Sequence, residues 1–306
     1  MKIKEKKLIL LMAVLVVLLG SSCAWFEGGV RRQRAEPEVS LFLTEEDRTV
    51  SLKFEEYIEG VVAAEMSADW PVQALAAQAI LARTYAWRKL QDGGEQDRYG
   101  TDVSDDTTSF QAYSAERITD SVREAVEMTR GRVIIHDGQP ALTWFHASSG
   151  GMTATAEEGL GFTDEPTPHI KSVEEPEGAD LREWSETITE AQIINALQEM
   201  GYEASSVQSF TVAERGPSGR AVQLQIGDQT VPAPSFRISV DPDIMRSTFL
   251  DSIEVQGGSV SMSGKGYGHG VGLSQEGAKA LAEEGASYEE IIDHYYEGVR
   301  LMQIWR

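Results

Sequence analysis

The chain has 306 residues, 41% of them hydrophobic, which is ample for one large domain or two lobes. Its 49 acidic against 27 basic side chains give a formal net charge of −22, which argues against nucleic acid and other anionic polymers as partners and favours solubility. The single cysteine, Cys23, lies near the N-terminus, so no internal disulfide and no cysteine-based metal site is expected.

Lys2, Lys4, Lys6 and Lys7 precede an apolar run from Leu8 to Leu19 and then Gly20-Ser21-Ser22-Cys23, the pattern of a secretory leader. Small residues before a cysteine suggest lipoprotein processing with Cys23 lipidated, although Gly20 stands where leucine is usual. The alternative is an uncleaved anchor, since Leu8 to Phe26 is about 19 residues, just long enough to span a bilayer. Both readings put the body of the protein outside the cytoplasm, tethered to the outer face of the membrane. Residues 1–26 are thus leader or anchor, and 27–40, with Arg31, Arg32, Arg34 and Pro37, read as a polar linker. Residues 41–306 remain for the folded part.

Ile58, Val61 and Val62 mark the apolar face of a first helix, and the next position on that face is Glu65. Glu55, Glu56 and Glu59 fall on other faces and read as solvated surface. Pro71 suits the first turn of a second helix, so the first ends near Met66 to Ala68 and Glu65 lies in its last turn. Apolar surroundings and the negative end of the helix both disfavour ionisation there, so the carboxyl can donate a proton near neutral pH. A buried glutamate paired with an arginine such as Arg83 explains the pattern equally well. The second helix carries Ala74, Ala76, Ala77, Ala79, Ala82 and Ala86, which let neighbours come close, while Gln78, Arg83 and Tyr85 supply polar contacts.

Further on, Ser121–Thr129 reads as a helix, and Arg132–His136 and Pro140–Phe145 as two strands joined at Asp137-Gly138. Thr189 caps a helix reaching Met200, with Gly201 after it. Val207–Ala213 and Ala221–Ile226 pair as strands, and Gln229–Val240 continues in strand and loop. The fold class is α+β, mixed helices and antiparallel strands, with a smaller lobe at about 175–250 beside a catalytic core and a cleft between them.

From Gly264 to Gly272 every second residue is glycine. In an extended segment this leaves one face bare, with Lys265, Tyr267, His269 and Val271 on the other. The spacing fits neither a dinucleotide fingerprint nor a phosphate loop. A turn before a helix and a ligand-contacting loop presenting Tyr267, His269, Ser274 and Gln275 both remain open.

Tyr57-Ile-Glu-Gly-Val-Val-Ala-Ala-Glu65-Met, then Ala74 through Gln78 to Ala82-Arg83-Thr84-Tyr85-Ala86, resembles the opening motif of the stage II sporulation protein D family, the SpoIID/LytB domain. Phe145-His146-Ala-Ser148-Ser149-Gly150-Gly151-Met-Thr153 resembles its central segment. Gly266-Tyr-Gly-His-Gly-Val-Gly-Leu-Ser-Gln275, Gly277-Ala278 and Tyr288 through Gly298 resemble its closing motif. The resemblance covers about residues 40–306, with the three motifs in family order. It implies a protein acting on peptidoglycan, and it assigns Glu65 as the catalytic acid.

The resemblance further implies lytic transglycosylation, for which one carboxyl group suffices; ordinary glycosidases need a pair, and no partner carboxylate stands out. Arg83, Tyr85, His146, Ser148, Ser149, Tyr267, His269, Ser274 and Gln275 are the candidate substrate-binding residues, whereas His136, His169 and His294 read as structural. Some family members hold zinc through a histidine and two cysteines after the second helix. The corresponding places here fall near Arg98, Ser104 and Phe110, none of which can serve as such a ligand, so no metal and no cofactor is expected. The implied partners are peptidoglycan glycan strands, the membrane through the N-terminus, and a cell-wall amidase. The expected function is cleavage between N-acetylmuramic acid and N-acetylglucosamine in sporulation or cell-wall remodelling. The alternatives are a non-catalytic glycan-binding module that activates an amidase, and a hydrolase using water.

Overall fold

The computed structural model describes residues 33–306 together with the backbone of the paired segments Phe26–Glu27 and Val30–Arg31. Cys23 and the rest of residues 1–25 lie outside the described residues, as do 28, 29 and 32 of the 27–40 linker. No helix among the described residues is long and apolar enough to cross a membrane.

The chain enters a core through β1 (Glu38–Leu43), whose first three residues fall in the stretch expected to be linker. β1 pairs antiparallel with β2 (Arg48–Lys53) and parallel with β3 (Val103–Ser104). α1 (Phe54–Glu65) follows at once; the Glu56 carboxylate accepts the Lys53 N–H at 3.0 Å and closes its first turn. α2 (Val72–Gln91) is the axle of this core. Its alanines at 74, 76, 77, 79 and 82 have no exposed surface, and neighbouring elements pack around it: α1, α3 (Asp120–Met128), β4 (Arg132–His136), α7 (Gln275–Glu283) and α8 (Tyr288–Tyr295). A helix apolar all round belongs in an interior. β4 lies between β5 (Gln139–Pro140) and the C-terminal β14 (Arg300–Gln303), both antiparallel to it. The second strand expected over 140–145 is shorter than predicted. The chain leaves β5 after Pro140 and re-forms a strand only at β6 (Phe145–His146), which pairs parallel with β13 (Leu273–Ser274).

α4 (Ala156–Leu160) ends the first pass through the core. A second hydrophobic cluster runs from Trp184 to Met262. It contains β7 (Trp184–Thr189), α5 (Glu190–Glu199), β8 (Phe210–Arg215), β9 (Ala221–Ile226), β10 (Gln229–Pro232), α6 (Ala233–Val240), β11 (Leu250–Gln256) and β12 (Ser259–Gly264). It holds two antiparallel sheets, β8-β9-β10 and β11-β12-β7, with α6 packed on the first, α5 on the second and the two helices on each other, an α+β arrangement. Thr189 caps α5 in a reciprocal pair with Gln192, as the sequence predicts. Residues 233–240 are helix rather than strand and loop, because Ala233, Phe236 and Val240 recur at helical spacing and all three are buried. The lobe also runs past the expected boundary of 250, since β12 supplies the middle strand of its second sheet.

Arg220, just before β9, joins the lobe to the core. It is fully buried, and its guanidinium donates to the carbonyls of Ser149 and Met152. Ion pairing of Arg182 with Glu276 adds a second tie.

Candidate active site

Glu65 is the last residue of α1, where the Met66 N–H closes the final turn on the Val62 carbonyl and the backbone turns extended. Its carboxylate faces a cleft of about 470 Å³ walled by Tyr85 of α2, the segment 107–112, Thr143 to His146, Leu160 and His269. Glu65 is the only carboxylate among the described residues lining that cleft. Burial lifts its proton affinity above the ordinary carboxyl range, while the hydrogen bond from Gln275 and the charge of Arg117 oppose the shift. The Gln275 amide donates to Oε2 at 3.4 Å from the first turn of α7. Arg117 donates to the Ala64 carbonyl at 3.1 Å, next to Glu65 in the chain.

Two imidazoles share the cleft with ring centroids 5.6 Å apart, and the peptide groups of one residue fix both tautomers. His146 Nδ1 donates to the Val271 carbonyl at 3.2 Å, which leaves Nε2 with a lone pair; that atom is buried and has no hydrogen-bond partner. The Val271 N–H donates at 3.0 Å to His269 Nδ1, so in the neutral ring the proton sits on Nε2. Both rings stay neutral. Desolvation, His269 and Arg220 push His146 well below the usual imidazole range, and desolvation with Arg237 and Arg220 takes His269 down to about 3. Trp144, Tyr85 and Phe110 add aromatic surface of the kind sugar rings stack on.

The glycine segment that delivers His269 is not the extended ribbon expected. Gly266, Gly268, Gly270 and Gly272 have φ of +87°, +109°, +83° and +74°, a conformation open to glycine and costly for other residues. The predicted close approach is nevertheless present: a Cβ at Gly268 would lie 2.8 Å from the His146 Cβ, and one at Gly270 2.5 Å from the Arg220 guanidinium carbon.

The structure thus brings Glu65, Tyr85, His146, His269 and Gln275 together. It does not bring the others. Arg83 has no exposed surface and pairs with Glu55, not Glu65, which removes it from the substrate surface and also overturns the reading of Glu55 as solvated. Ser148 donates to the Asp180 carbonyl, the Ser149 hydroxyl accepts from Gly151, and Ser274 caps α7 by accepting from Gly277. All three serines are buried supports behind the cleft. Tyr267 stands apart from the cleft, donating to Asp243 of the second lobe.

Trp144, Phe110, Gln111 and Arg117 are the site residues that sequence reasoning missed. Trp144 adjoins the Phe145-His146 motif and could have been found that way; Arg117 reaches Glu65 only through packing of its turn on α1. At the places implied for zinc, Arg98 pairs with Asp106, Ser104 donates to Glu95 and Phe110 packs edge-on against Tyr85. Those residues do not fit the metal, and no group of three or more potential ligands occurs among the described residues.

Residues 44–136 match the family model described as stage II sporulation protein, and 169–272 match a domain of unknown function (DUF8618). An uncharacterized protein of Brachyspira hyodysenteriae is 32% identical over 82% of this chain and 67% of its own length. The chain belongs to the stage II sporulation protein D family. Within it, stage II sporulation protein D of Bacillus amyloliquefaciens is 28% identical over 87% of this chain and 78% of its own. The amidase enhancer of Bacillus subtilis is also 28% identical, over 80% of this chain but 40% of its own.

Proposed function

We propose that this family member is a lytic transglycosylase that cuts peptidoglycan glycan strands between N-acetylmuramic acid and N-acetylglucosamine. The observation that carries this reading is the lone, partly desolvated carboxyl of Glu65 in a cleft otherwise lined by neutral groups. Protonated Glu65 gives its proton to the departing glycosidic oxygen as the bond to the muramyl anomeric carbon breaks. The resulting carboxylate takes the proton of the muramyl C6 hydroxyl while that oxygen bonds to the same carbon, closing a 1,6-anhydro ring and restoring the acid. No water is consumed, and no second carboxylate is needed. A retaining glycosidase would need a partner carboxyl at about 5–5.5 Å. The Gln275 amide orients Glu65, and His146 and His269 line the cleft as neutral rings beside it.

The leader pattern of residues 1–26 supports an extracytoplasmic site of action at the membrane's outer face, with Cys23 the candidate for lipid attachment. A second reading, a glycan-binding module that activates a cell-wall amidase, draws on the relative named as an amidase enhancer.

Mass spectrometry of products from purified glycan strands tests the choice. The wild type is expected to release 1,6-anhydro-N-acetylmuramic ends, and Glu65→Gln to lose about 10²–10⁴-fold in rate while still binding glycan. Reducing ends would indicate hydrolysis, and bound but uncut glycan with the wild type would favour the amidase-activating module.

A further inference from the structure

The cleft wall at 107–112 ends a strap that leaves α2 after Gln91, makes a single helical turn at Gln96–Tyr99 and passes through β3 at the edge of the first sheet. Every residue from 107 to 112 lines the cleft except Ser109, whose hydroxyl instead donates to Glu95 Oε2 at 2.7 Å. Ser104 of β3 donates to the same oxygen at 3.2 Å. Glu95 is buried, so its carboxylate ties the two later parts of the strap to its start from within. The Ser109 carbonyl accepts from the Tyr85 hydroxyl at 3.5 Å, and its N–H donates to the Asp106 carbonyl at 3.1 Å. The Asp106 carboxylate in turn accepts the Thr108 N–H at 2.9 Å and the Tyr99 hydroxyl at 2.7 Å. Next to Ser109, Phe110 packs edge-on against Tyr85 with ring centroids 5.6 Å apart, and Gln111 donates to the Ala82 carbonyl at 3.3 Å.

These contacts occupy the places at which the family resemblance implies zinc. Residues 91–114 contain neither histidine nor cysteine, and no group of three potential ligands gathers among the described residues. Two of the three implied places are engaged otherwise, Ser104 by Glu95 and Arg98 by Asp106. A hydrogen bond to a carboxylate is about twice as strong as one between neutral groups, so two of them meeting on one buried oxygen make a firm anchor. We propose that Glu95 is a positioning residue for the cleft: in place of a metal, its carboxylate locks Ser109 to β3 and so holds Phe110, Gln111 and Tyr85 in the arrangement that receives a sugar ring. The consequence for sugar rests on the glycan reading above, whereas the lock itself rests on the geometry of the strap.

Two measurements on the full chain in detergent test it: hydrogen exchange read by mass spectrometry, and calorimetric titration with purified glycan strands in a Glu65→Gln background, which prevents cutting. Glu95→Ala should speed amide exchange at 107–112 about tenfold and raise the glycan Kd of the folded protein about tenfold, in line with losing a hydrogen bond to a charged group. Glu95→Gln keeps an oxygen able to accept both hydroxyls and should recover most of both losses. Ser109→Ala removes the donor, leaves Glu95 in place and should reproduce Glu95→Ala, which keeps the test decisive if the alanine at 95 unfolds the chain. In a Phe110→Ala background, Glu95→Ala should add little further loss of glycan affinity, because the surface it positions is already gone. Unchanged exchange at 107–112 in Ser109→Ala overturns the lock. A lower melting temperature with unchanged glycan affinity in the folded protein makes Glu95 a support of the fold alone and overturns its positioning role. Glu95→Gln no better than alanine, or wild-type exchange that slows with zinc and quickens with a chelator, also overturns the proposal. If the Glu65→Gln protein binds no glycan, the functional reading fails instead, and exchange still decides the lock.

Discussion

The strongest expectation concerns Arg83, because sequence and structure assign it different work. Its Nε donates to both Glu55 carboxylate oxygens at 3.2 and 3.1 Å, one Nη donates to Oε2 at 2.6 Å, and the other to the Arg132 carbonyl at 3.1 Å. Glu55 in turn accepts the Gly131 N–H and the Trp305 indole N–H, each at 2.8 Å, so the pair ties α1, α2, the start of β4 and the C-terminus into one node. Arg83→Met roughly keeps the length of the side chain and removes the charge, leaving a buried carboxylate with two donors and no ion-pair partner in direct contact. Breaking a buried pair from one side costs about 3–5 kcal/mol. At ~2–4 °C per kcal/mol for a chain near this size, the melting temperature should fall by roughly 6–20 °C.

Differential scanning calorimetry beside glycan turnover checks this. Adding Glu55→Leu to Arg83→Met should recover much of the loss, since well-packed apolar groups often replace a buried ion pair at little cost. The folded fraction of Arg83→Met should cleave with unchanged KM. A variant with wild-type melting temperature and a raised KM would return Arg83 to the substrate surface and refute the structural assignment.

Glu65 has a raised folded-state pKa, so its contribution to stability is complete below its unfolded pKa and is lost as pH rises through the folded value. Glu65→Gln should therefore melt higher than the wild type at pH 7 but not below about pH 4, and a gain that persists in acid would contradict the raised value. His269→Ala should fold normally and cleave more slowly, because it removes a cleft group without crowding. Gly268→Val should lose both stability and activity through its positive φ and the contact with His146, so full turnover in a folded His269→Ala would remove the imidazole from the site. Cleavage should resist strong chelators, given Arg98, Ser104 and Phe110 at the implied zinc positions; loss on chelation restored by zinc would reveal a missed site.

Glu65 was legible because helical spacing makes a carboxylate on an apolar face conspicuous, and α1 ends where Pro71 requires. The helices at 120–128 and 190–199 were legible for similar reasons, as was the β8-β9 hairpin. What sequence could not give was the direction of polar side chains within a motif. Glu55 and Glu65 sit on one helix, and nothing local says which one Arg83 meets; that depends on how α2 crosses α1. Alternating glycines look extended on paper, but the four from Gly266 to Gly272 adopt positive φ, and only the packed Arg220 and His146 show why a Cβ is excluded at Gly270 and Gly268. The buried serines were likewise indistinguishable from ligands until the carbonyls and amides around them were placed.

The division of labour in the cleft follows from these contacts. In a chain of net charge −22, a cleft with one carboxylate is selective, because a second would compete for the proton and offer a nucleophile. The two imidazoles cannot take over the acid's role near neutral pH, since burial, with the charge of Arg220, keeps both unprotonated. Arg220 comes from the turn before β9, outside the motifs that carry the family resemblance, and reaches the site by donating to Ser149 and packing where Gly270 lacks a side chain. The second lobe therefore acts on the cleft electrostatically: its buried guanidinium adds to the burial that keeps the two histidines neutral, which under the proposed function leaves proton transfer to Glu65.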